Sequence, residues 1–174
     1  KMFLMENVSG MVTMEKGKVF KLIKKELENC GYTLYDKLLN ARDYGVPQSR
    51  KRIIIIGIRN DINKKFEFPN PSHSDDNYLT VGQALFDNPI DSKYPNHIFG
   101  QLSDLNLKRI KHIPEGGSMK HCPLELQNNS DLNRSMRRLH RDKASYTIVH
   151  NNCDHYYHPI ENRRITIREM ARIQ

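Results

Sequence analysis

The 174-residue chain has no tryptophan, only three cysteines, and no apolar run of the roughly 18–20 residues that a membrane helix needs. A transmembrane protein is therefore excluded on sequence grounds. The apolar run at the N-terminus is broken by Glu6 and is too short for a signal peptide. Cys30, Cys122 and Cys153 are widely spaced and odd in number, which predicts no disulfide framework and favours a reducing, intracellular setting.

Charge is distributed unevenly along the chain. Lys and Arg number 28 against 20 Asp and Glu, for a net charge of +8. Residues 1–65 carry +7, residues 66–119 carry −3, and residues 120–174 carry +4. Two basic ends around an acidic middle indicate an anionic partner, and nucleic acid is the commonest one. A lysine-rich surface with no such partner is the alternative.

The first third of the chain has an α/β pattern. Met2–Met5 and Thr33–Leu39 have the character of short strands, and apolar residues recur at helical spacing over 19–30. The run Arg52–Ile58 is almost continuously β-branched, which predicts a strand buried on both faces of a helix-covered sheet. This order indicates part of a layered α/β domain over residues 1–62.

The remainder of the chain is more irregular. Six of the eight prolines of the whole chain fall within residues 66–123, among Asn, Asp and Ser, so regular elements there are expected to be short. Helix starts are predicted at Thr80 and Ser103, and Thr166 with Glu169 forms a capping box. We expect a second, smaller domain of mixed α+β structure over residues 63–174.

The two ends of the sequence suggest a piece of a longer protein. The chain opens directly on a strand and stops two turns into a capped helix. About 60 residues of α/β pattern would also be too few to close a doubly wound sheet. We therefore expect this sequence to be an interior part of a larger chain or assembly.

Three stretches carry motifs that belong together. Phe3–Met11 holds Glu-Asn-Val, Leu39–Arg52 holds Asn-Ala-x-x-Tyr-Gly-Val-Pro-Gln-x-Arg-x-Arg, and His158–Gln174 holds Arg-x-Ile-Thr-x-Arg-Glu-x-Ala-Arg-x-Gln. In this order they resemble the DNA (cytosine-5) methyltransferase family. Weaker similarities lie at Ile113–Ser118 and Arg138–Thr147, so the resemblance spans the whole chain.

The resemblance implies both a fold and an activity. Residues 1–62 would be the C-terminal part of a Rossmann-like methyltransferase sheet, and residues 63–174 a target-recognition domain. The full enzyme would transfer a methyl group from S-adenosylmethionine to C5 of a cytosine flipped out of double-stranded DNA. Such an enzyme would act in the cytoplasm of a bacterial or phage-type restriction–modification system.

Three residues are expected to do chemistry. Thiolate addition at C6 of cytosine spreads negative charge onto N3 and O2, and a carboxyl group beside N3 can share a proton with the ring. Glu6, near the end of its predicted strand, is the candidate. At period two, Arg50 and Arg52 share one strand face and suit a phosphate or the O2 edge of a base. The alternatives are a merely solvated Glu6 and a salt-bridge cluster of the arginines with Asp36 or Asp43.

Other residues are expected to contact DNA. By resemblance they are Gln48, Gly116, Gly117, Arg137, Arg138 and Thr147. The glycines would let the backbone approach DNA closely, or would simply form a turn after Pro114. The arginines lie in a basic run that suits phosphates, although such runs are commonly solvated faces.

Four residues are expected to be structural, and no metal is expected. The resemblance gives Arg163 the task of organising the recognition region, while Thr166 and Glu169 would cap a helix and Asn7 would belong to the Glu-Asn-Val turn. The residues His150, Cys153, His155 and His158 have a spacing that matches no common zinc site.

The sequence lacks parts that the family uses. It has no Pro-Cys nucleophile and no glycine-rich turn for S-adenosylmethionine, so the chain alone is expected to be inactive. An N-terminal half, on the same chain or on a partner subunit, would have to supply both. The open alternatives are a natural split-enzyme subunit, a non-catalytic sequence-specific DNA-binding module, and a family member that acts on tRNA. The long segment 63–157 favours duplex DNA over tRNA.

Overall fold

A three-stranded sheet forms the first part of the molecule. The structure is a computed structural model that describes residues 1–128, 131–149 and 155–174. The strands of this sheet are β1 (Met2–Val8), β2 (Tyr32–Asn40) and β3 (Lys51–Arg59). Their order is β1–β3–β2, and β3 runs antiparallel to both neighbours. The isoleucine-rich strand therefore lies at the centre, between two strands that point the same way.

Two helices cover one face of this sheet. They are α1 (Gly10–Thr13) and α2 (Lys18–Asn29). The apolar side of α2 packs through Phe20 against Ile53 and Ile55 of β3. The helical spacing seen in the sequence is thus confirmed, and its apolar stripe is the part that is buried.

The opposite face of β3 is also covered. Ile56 is buried and lies beside Tyr35 of β2 in the strand register. The ring of Phe66 contacts Tyr35 edge-on, with the two ring centroids 6.0 Å apart. The expected burial of this strand on both faces is therefore confirmed. The segment after β3 folds back over the sheet to provide that cover.

Strand β1 is longer than the sequence pattern suggests. The apolar run ends at Glu6, but the ladder to β3 continues through Asn7 and Val8, which lie opposite Ile53 and Arg52. Glu6 is consequently inside the strand and not at its end. The cross-strand hydrogen bonds of a long central neighbour extend the strand beyond its apolar residues.

Short elements make up the rest of the described chain. They are α3 (Val81–Phe86), α4 (Asp104–Ile110), β4 (Arg137–Arg138), β5 (Tyr156–Tyr157) and α5 (Ile167–Ile173). The helix starts predicted at Thr80, Ser103 and Thr166 are confirmed, since each side chain accepts a hydrogen bond from a backbone N–H of the first turn. Strands β4 and β5 pair in parallel.

Two apolar clusters hold this second part together. One joins α3 to α5 through Val81, Leu85, Met170 and Ile173. The other gathers around Tyr157, Ile110, Met119 and Met136. The overall architecture is mixed α/β, with small sheets and short helices. Within the described residues, no helix is long and apolar enough to cross a membrane.

Candidate functional site

The structure brings Glu6, Arg50 and Arg52 together. Arg52 Nε lies 2.9 Å from Glu6 Oε1, and a terminal nitrogen of Arg50 lies 3.6 Å from the same oxygen. One carboxylate is therefore held between two guanidinium groups. The alternative cluster with Asp36 or Asp43 is not formed, because Asp36 pairs with Lys24 and Asp43 pairs with Arg42.

Strand register explains this convergence. Glu6 lies directly opposite Ile54, and Arg52 lies opposite Val8, so Glu6 and Arg52 are diagonal neighbours on the same face. Side chains alternate across a strand, which also puts position 50 on that face. The side chain of Glu6 is 43% exposed and that of Arg52 is 17% exposed, so the cluster opens to solvent on the carboxylate side.

Asn40 fixes the backbone at Arg50. Its buried side-chain Oδ1 accepts a hydrogen bond from the main-chain N–H of Arg50 at 2.9 Å. The N–H of Ala41 donates to the carbonyl oxygen of Arg50 at 3.0 Å. These two hydrogen bonds fix the main chain at Arg50, immediately before β3 begins. Asn40 is not among the predicted site residues, because its burial at the strand end becomes visible only in the folded structure.

The electrostatics of the cluster suit a ligand that gains negative charge. Hydrogen bonds between guanidinium and carboxylate are charge-assisted and directional. A half-exposed carboxylate between two guanidiniums keeps a free side for a hydrogen bond to a ligand, while the arginines can hold an anionic oxygen nearby. A cavity of about 280 Å³ adjoins Arg50, lined by Ala41, Val46, Gln48, Arg50 and Gln174.

Asn7 stabilises the end of β1. Its Oδ1 accepts a hydrogen bond from the main-chain N–H of Val8 at 2.8 Å. This contact is local and holds the chain where it leaves the strand towards α1. The geometry fits the structural role expected for Asn7.

Gln48 is fully buried and does not reach the surface. Its Oε1 accepts a hydrogen bond from the N–H of Ile148 at 3.3 Å, and its Nε2 donates to the carbonyl oxygen of Ile173 at 3.4 Å. Both ends of the amide are thus bound within the protein. The structure reassigns Gln48 from the expected DNA contact to a tie between β3, the 145–148 segment and α5.

The chain around Gln48 is bonded to residues 145–147 of the second part of the molecule. The N–H of Ser145 donates to the carbonyl oxygen of Pro47 at 2.9 Å, and the N–H of Ser49 donates to that of Ser145 at 2.8 Å. Thr147 Oγ1 donates to the carbonyl oxygen of Ser49 at 2.9 Å. The segment that leads to Arg50 and the segment that carries Thr147 are therefore joined by three hydrogen bonds.

Arg137 and Arg138 have opposite environments. Arg137 is half-exposed, and its Nε donates to the carbonyl oxygen of Asn133 at 3.0 Å. Its guanidinium lies over the ring of Tyr146, 4.4 Å from the centroid. In the described part of the chain, its terminal nitrogens have no hydrogen-bond partner. Arg137 therefore presents its guanidinium against the Tyr146 ring at a partly exposed position.

Arg138 is buried, and the two terminal nitrogens of its guanidinium are occupied, while its Nε has no partner among the described residues. Its two terminal nitrogens, which carry four N–H groups between them, face six oxygens within 2.6–3.3 Å: the carbonyls of Ile110, His158, Pro159, Ile160 and Glu161, and Oδ1 of Asn162. Burial lowers the pKa of Arg138. The expected phosphate contact is incompatible with this geometry, because no donor on either terminal nitrogen faces solvent. Arg138 instead organises the loop after β5.

Gly116 and Gly117 form a turn. Gly116 has φ +73°, and the N–H of Gly117 donates to the carbonyl oxygen of Pro114 at 2.9 Å. A Cβ at Gly117 would lie 2.8 Å from that same oxygen, so a side chain does not fit. The turn reading after Pro114 is therefore observed. Whether the turn also approaches DNA stays a prediction.

Arg163, Thr166 and Glu169 form one network. The two terminal nitrogens of Arg163 donate to the two carboxylate oxygens of Glu169 at 2.8 Å each. Thr166 and Glu169 make the predicted capping box at the start of α5. Burial would raise the pKa of Glu169, but the hydrogen bonds from Arg163 and from the Thr166 N–H outweigh it and lower the pKa.

His158 lies beside this network. It is buried, and its Nδ1 accepts a hydrogen bond from the N–H of Glu161 at 2.9 Å. Burial, reinforced by the positive charge of Arg163, lowers the pKa of His158 to about 4. His158 is therefore neutral in the folded protein at neutral pH.

The described residues contain no cluster of three or more His, Cys, Asp or Glu side chains that could hold a metal ion. His150 and Cys153, two of the four residues with suggestive spacing, lie outside the described residues. Nothing in the cluster around Glu6 calls for a metal.

Comparison with known proteins gives a consistent result. The sequence profile of the family described as C-5 cytosine-specific DNA methylase matches residues 1–174. The chain is 34% identical over 184 residues to the type II methyltransferase M.NgoFVII of Neisseria gonorrhoeae, with 100% of this chain and 49% of the relative covered. It is 38% identical to M.BbvI of Brevibacillus brevis, with 99% of this chain and 48% of the relative covered.

The chain thus spans about half the length of the curated relatives it matches. Among solved structures, one described as a prophage-encoded DNA modification methyltransferase from E. coli superposes with a TM-score of 0.72 at 19% identity. The superposition covers 99% of this chain and 58% of that one. At this identity the likeness establishes the fold.

Proposed function

Because this chain belongs to the C-5 cytosine-specific DNA methylase family, we propose that it forms the C-terminal part of a DNA (cytosine-5) methyltransferase. The enzyme transfers a methyl group to C5 of a cytosine flipped out of duplex DNA. Its curated relatives carry type II methyltransferase names, which supports a place in a bacterial restriction–modification system and hence in the cytoplasm. The observation that carries the proposal is the convergence of Glu6, Arg50 and Arg52.

In this proposal Glu6 binds the reacting ring. Its carboxyl group lies beside N3 of the cytosine and shares a proton with it while a thiolate of the missing part adds at C6. Arg52, which contacts Glu6 through Nε, holds that carboxyl group in place and faces the O2 edge of the base. Arg50 contacts O2 of the base and a neighbouring phosphate. The two guanidiniums thus stabilise the charge that spreads over N3 and O2.

The second part of the chain would hold the DNA around that base. Extruding a cytosine costs a few kcal/mol of stacking and pairing free energy. Contacts of the protein with phosphates and with neighbouring bases must compensate for this cost. Residues 63–174 are the proposed recognition domain, and 1–62 the catalytic part. Arg137 and Gly116 are partly exposed and could take part, whereas Gly117 is buried, and Thr147 lies on the segment bonded to Ser49.

The methyl donor of the family is S-adenosylmethionine, which supplies the methyl group when bound. The cavity beside Arg50 is not a fit for it, because no lining residue carries a carboxylate that could hold the ribose hydroxyls or the ammonium group. We therefore assign its site, together with the nucleophilic thiol, to the part of the enzyme that lies outside this sequence.

The open edge of β1 is the proposed junction with that missing part. Among the described strands β1 pairs only with β3, so its other edge presents free N–H and C=O groups. The side chains of Met2, Leu4 and Val8 are 62%, 64% and 53% exposed. An apolar strand with one open edge is suited to accept the rest of a sheet, from the same polypeptide or from a partner subunit.

Reconstitution tests the proposed function. This chain is combined with the missing half of the enzyme, a labelled S-adenosylmethionine and cytosine-containing DNA, and methyl incorporation is measured. We expect transfer by the combination and none by either part alone. Glu6→Gln and Arg52→Ala should reduce transfer by about a hundredfold or more.

The matched controls are at the other end of β3. Arg59 and Asp61 form an exposed ion pair there, with 2.6 Å between Arg59 Nη2 and Asp61 Oδ2. Arg59→Ala and Asp61→Asn remove the same charges far from the site and should leave transfer unchanged. Full transfer by both Glu6→Gln and Arg52→Ala would refute the assignment of the site.

A further inference from the structure

Tyr146 is an exposed aromatic residue on a fixed backbone. Its side chain is 42% exposed, whereas Ser145 and Ile148 on the same segment are buried. The main-chain N–H and C=O of Ser145 are both bonded to the segment before β3, and the Thr147 hydroxyl bonds to Ser49. The ring is therefore displayed by a segment that has little freedom to move.

The ring itself is held on one face and at its tip. The guanidinium of Arg137 lies 4.4 Å from the ring centroid. The Tyr146 hydroxyl donates to the carbonyl oxygen of Gly116 at 3.4 Å. Because Arg137 is in turn held by Asn133, the pair is preorganised. A preorganised ring loses little side-chain entropy when it binds a flat partner.

A basic cavity lies beside this pair. It has a volume of about 250 Å³ and is lined by Arg134, Arg137, Thr147, Val149, His155 and Tyr156. Arg134 forms an exposed ion pair with Asp131, 3.3 Å apart, and keeps part of its guanidinium open to solvent. The site thus combines an aromatic face with cationic groups, the pairing that proteins use to hold unstacked nucleobases next to their phosphates.

A second exposed tyrosine shows what distinguishes this site. Tyr94 is 54% exposed, and the guanidinium of Arg168 lies 5.4 Å from its ring centroid. Among the described residues, the main chain around Tyr94 makes no hydrogen bond to the segment that leads into β3. Tyr146 differs because its neighbours bond directly to Ser49, which precedes Arg50.

We propose that Tyr146, backed by Arg137, is a stacking platform for a nucleobase of the bound DNA that has left the helix stack. The inference rests on the proposed function and deepens it by naming a base contact. The aromatic ring takes the face of the base, and the basic cavity takes the adjoining phosphate. The link through Ser49 couples an occupied platform to the arginines of the catalytic cluster.

The absence of tryptophan from this chain provides a direct test. Tyr146→Trp and Tyr94→Trp each create a protein with one tryptophan. Both are titrated with single-stranded oligothymidine, whose bases are unpaired, and with a fully paired duplex at low salt. We expect strong fluorescence quenching of the tryptophan at 146 by oligothymidine, weaker quenching by the duplex, and little change for the variant at 94.

Affinity measurements complete the test. Tyr146→Ala should weaken binding of labelled oligothymidine about tenfold, whereas Tyr146→Phe and Tyr94→Ala should bind like the wild type. Unchanged thermal unfolding of Tyr146→Ala confirms that its fold is intact. If DNA binds while the tryptophan at 146 is not quenched, the platform is refuted.

The two proposals fail in different ways. Methyl transfer by the reconstituted enzyme, together with an unquenched tryptophan at 146, overturns the platform alone. Failure of the wild-type reconstituted enzyme to transfer methyl groups overturns the proposed function. Wild-type chain that binds neither oligothymidine nor duplex overturns the platform, and the proposed function is then decided by the reconstitution alone.

Discussion

The side chain of Gln48 spans 125 residues of sequence to bond with Ile173, its Nε2 donating to the carbonyl oxygen of the last helix at 3.4 Å. The same amide accepts the N–H of Ile148. One buried side chain therefore connects three segments: the entry to β3, the strand-like stretch that carries Thr147, and α5. The cluster of Glu6, Arg50 and Arg52 and the second part of the chain share this connection.

We predict that Gln48→Ala destabilises the protein by about 2–3 kcal/mol. The substitution leaves the Ile148 N–H and the Ile173 carbonyl buried without their partner, and each such loss costs about 1–3 kcal/mol. Urea denaturation followed by circular dichroism measures the change. Gln101→Ala, at an exposed position, is the control and should be neutral within about 0.5 kcal/mol. Equal stability of the two variants would contradict the role of Gln48 as a tie.

Arg138→Met should destabilise the protein strongly, by roughly 3–5 kcal/mol. The substitution keeps the apolar stem but removes the donors that face five oxygens of the loop after β5 and the carbonyl of Ile110, and each buried polar group left unsatisfied costs about 1–3 kcal/mol. Chemical denaturation is again the measurement. Arg137→Met is the neighbouring control and should cost far less, since Arg137 is half-exposed. A neutral Arg138→Met would show that the buried guanidinium is not structural.

DNA binding by the chain should be weak and should fall steeply as salt is added. Phosphate contacts release bound counterions, so the logarithm of the affinity falls linearly with the logarithm of the salt concentration. Arg137→Gln should reduce that slope by about one unit, because it removes one phosphate contact. Fluorescence anisotropy of labelled duplex DNA over a salt series gives the slope. A flat salt response of the wild type would argue against phosphate clamping.

Stability should fall as the pH drops from about 6.5 towards 4. The folded protein keeps His158 neutral with a pKa of about 4, while the unfolded chain protonates it near 6.5. The unfolded state therefore binds more protons in this window, and the free energy of unfolding decreases with falling pH by up to about 3 kcal/mol. Glu169, whose pKa is lowered in the fold, acts in the same direction at lower pH.

His158→Gln tests this interpretation. The variant has no group that titrates at this position, so its stability should change less between pH 6.5 and 4.5 than that of the wild type. His112→Gln, at an exposed position, should keep the wild-type pH dependence. Denaturation midpoints of the wild type and both variants, measured at several pH values, show whether His158 causes the loss of stability in acid. An unchanged pH profile for His158→Gln would assign the acid sensitivity to other groups.

Local signals in the sequence predicted the local structure well. The isoleucine run gave a two-sided buried strand, and the Thr166–Glu169 pair gave a capping box, because both depend on neighbouring residues alone. Pairing between distant strands is a different matter. The sequence did not indicate that β3 would lie between β1 and β2 and run antiparallel to both.

Part of the candidate site could be predicted from the sequence, because that part depends on local signals. Glu6, Arg50 and Arg52 were found from motif and strand period, and register then brought them into contact. Arg137 and Arg138 could not be told apart, since adjacent residues of equal charge face opposite ways and only tertiary packing selects the buried one. The burial of Gln48 likewise could not be predicted, because glutamine is usually exposed and its two partners are distant in the sequence.

The hydrogen bonds between residues 47–49 and residues 145–147 have a practical consequence for enzyme engineering. If residues 63–174 recognise DNA as proposed, they are an attractive module to exchange between relatives. In this protein an exchange that cuts between these two stretches would pair a foreign Ser145 or Thr147 with a native Ser49. Productive chimaeras should therefore transplant both stretches together or neither, and should vary only the loops that hang from them.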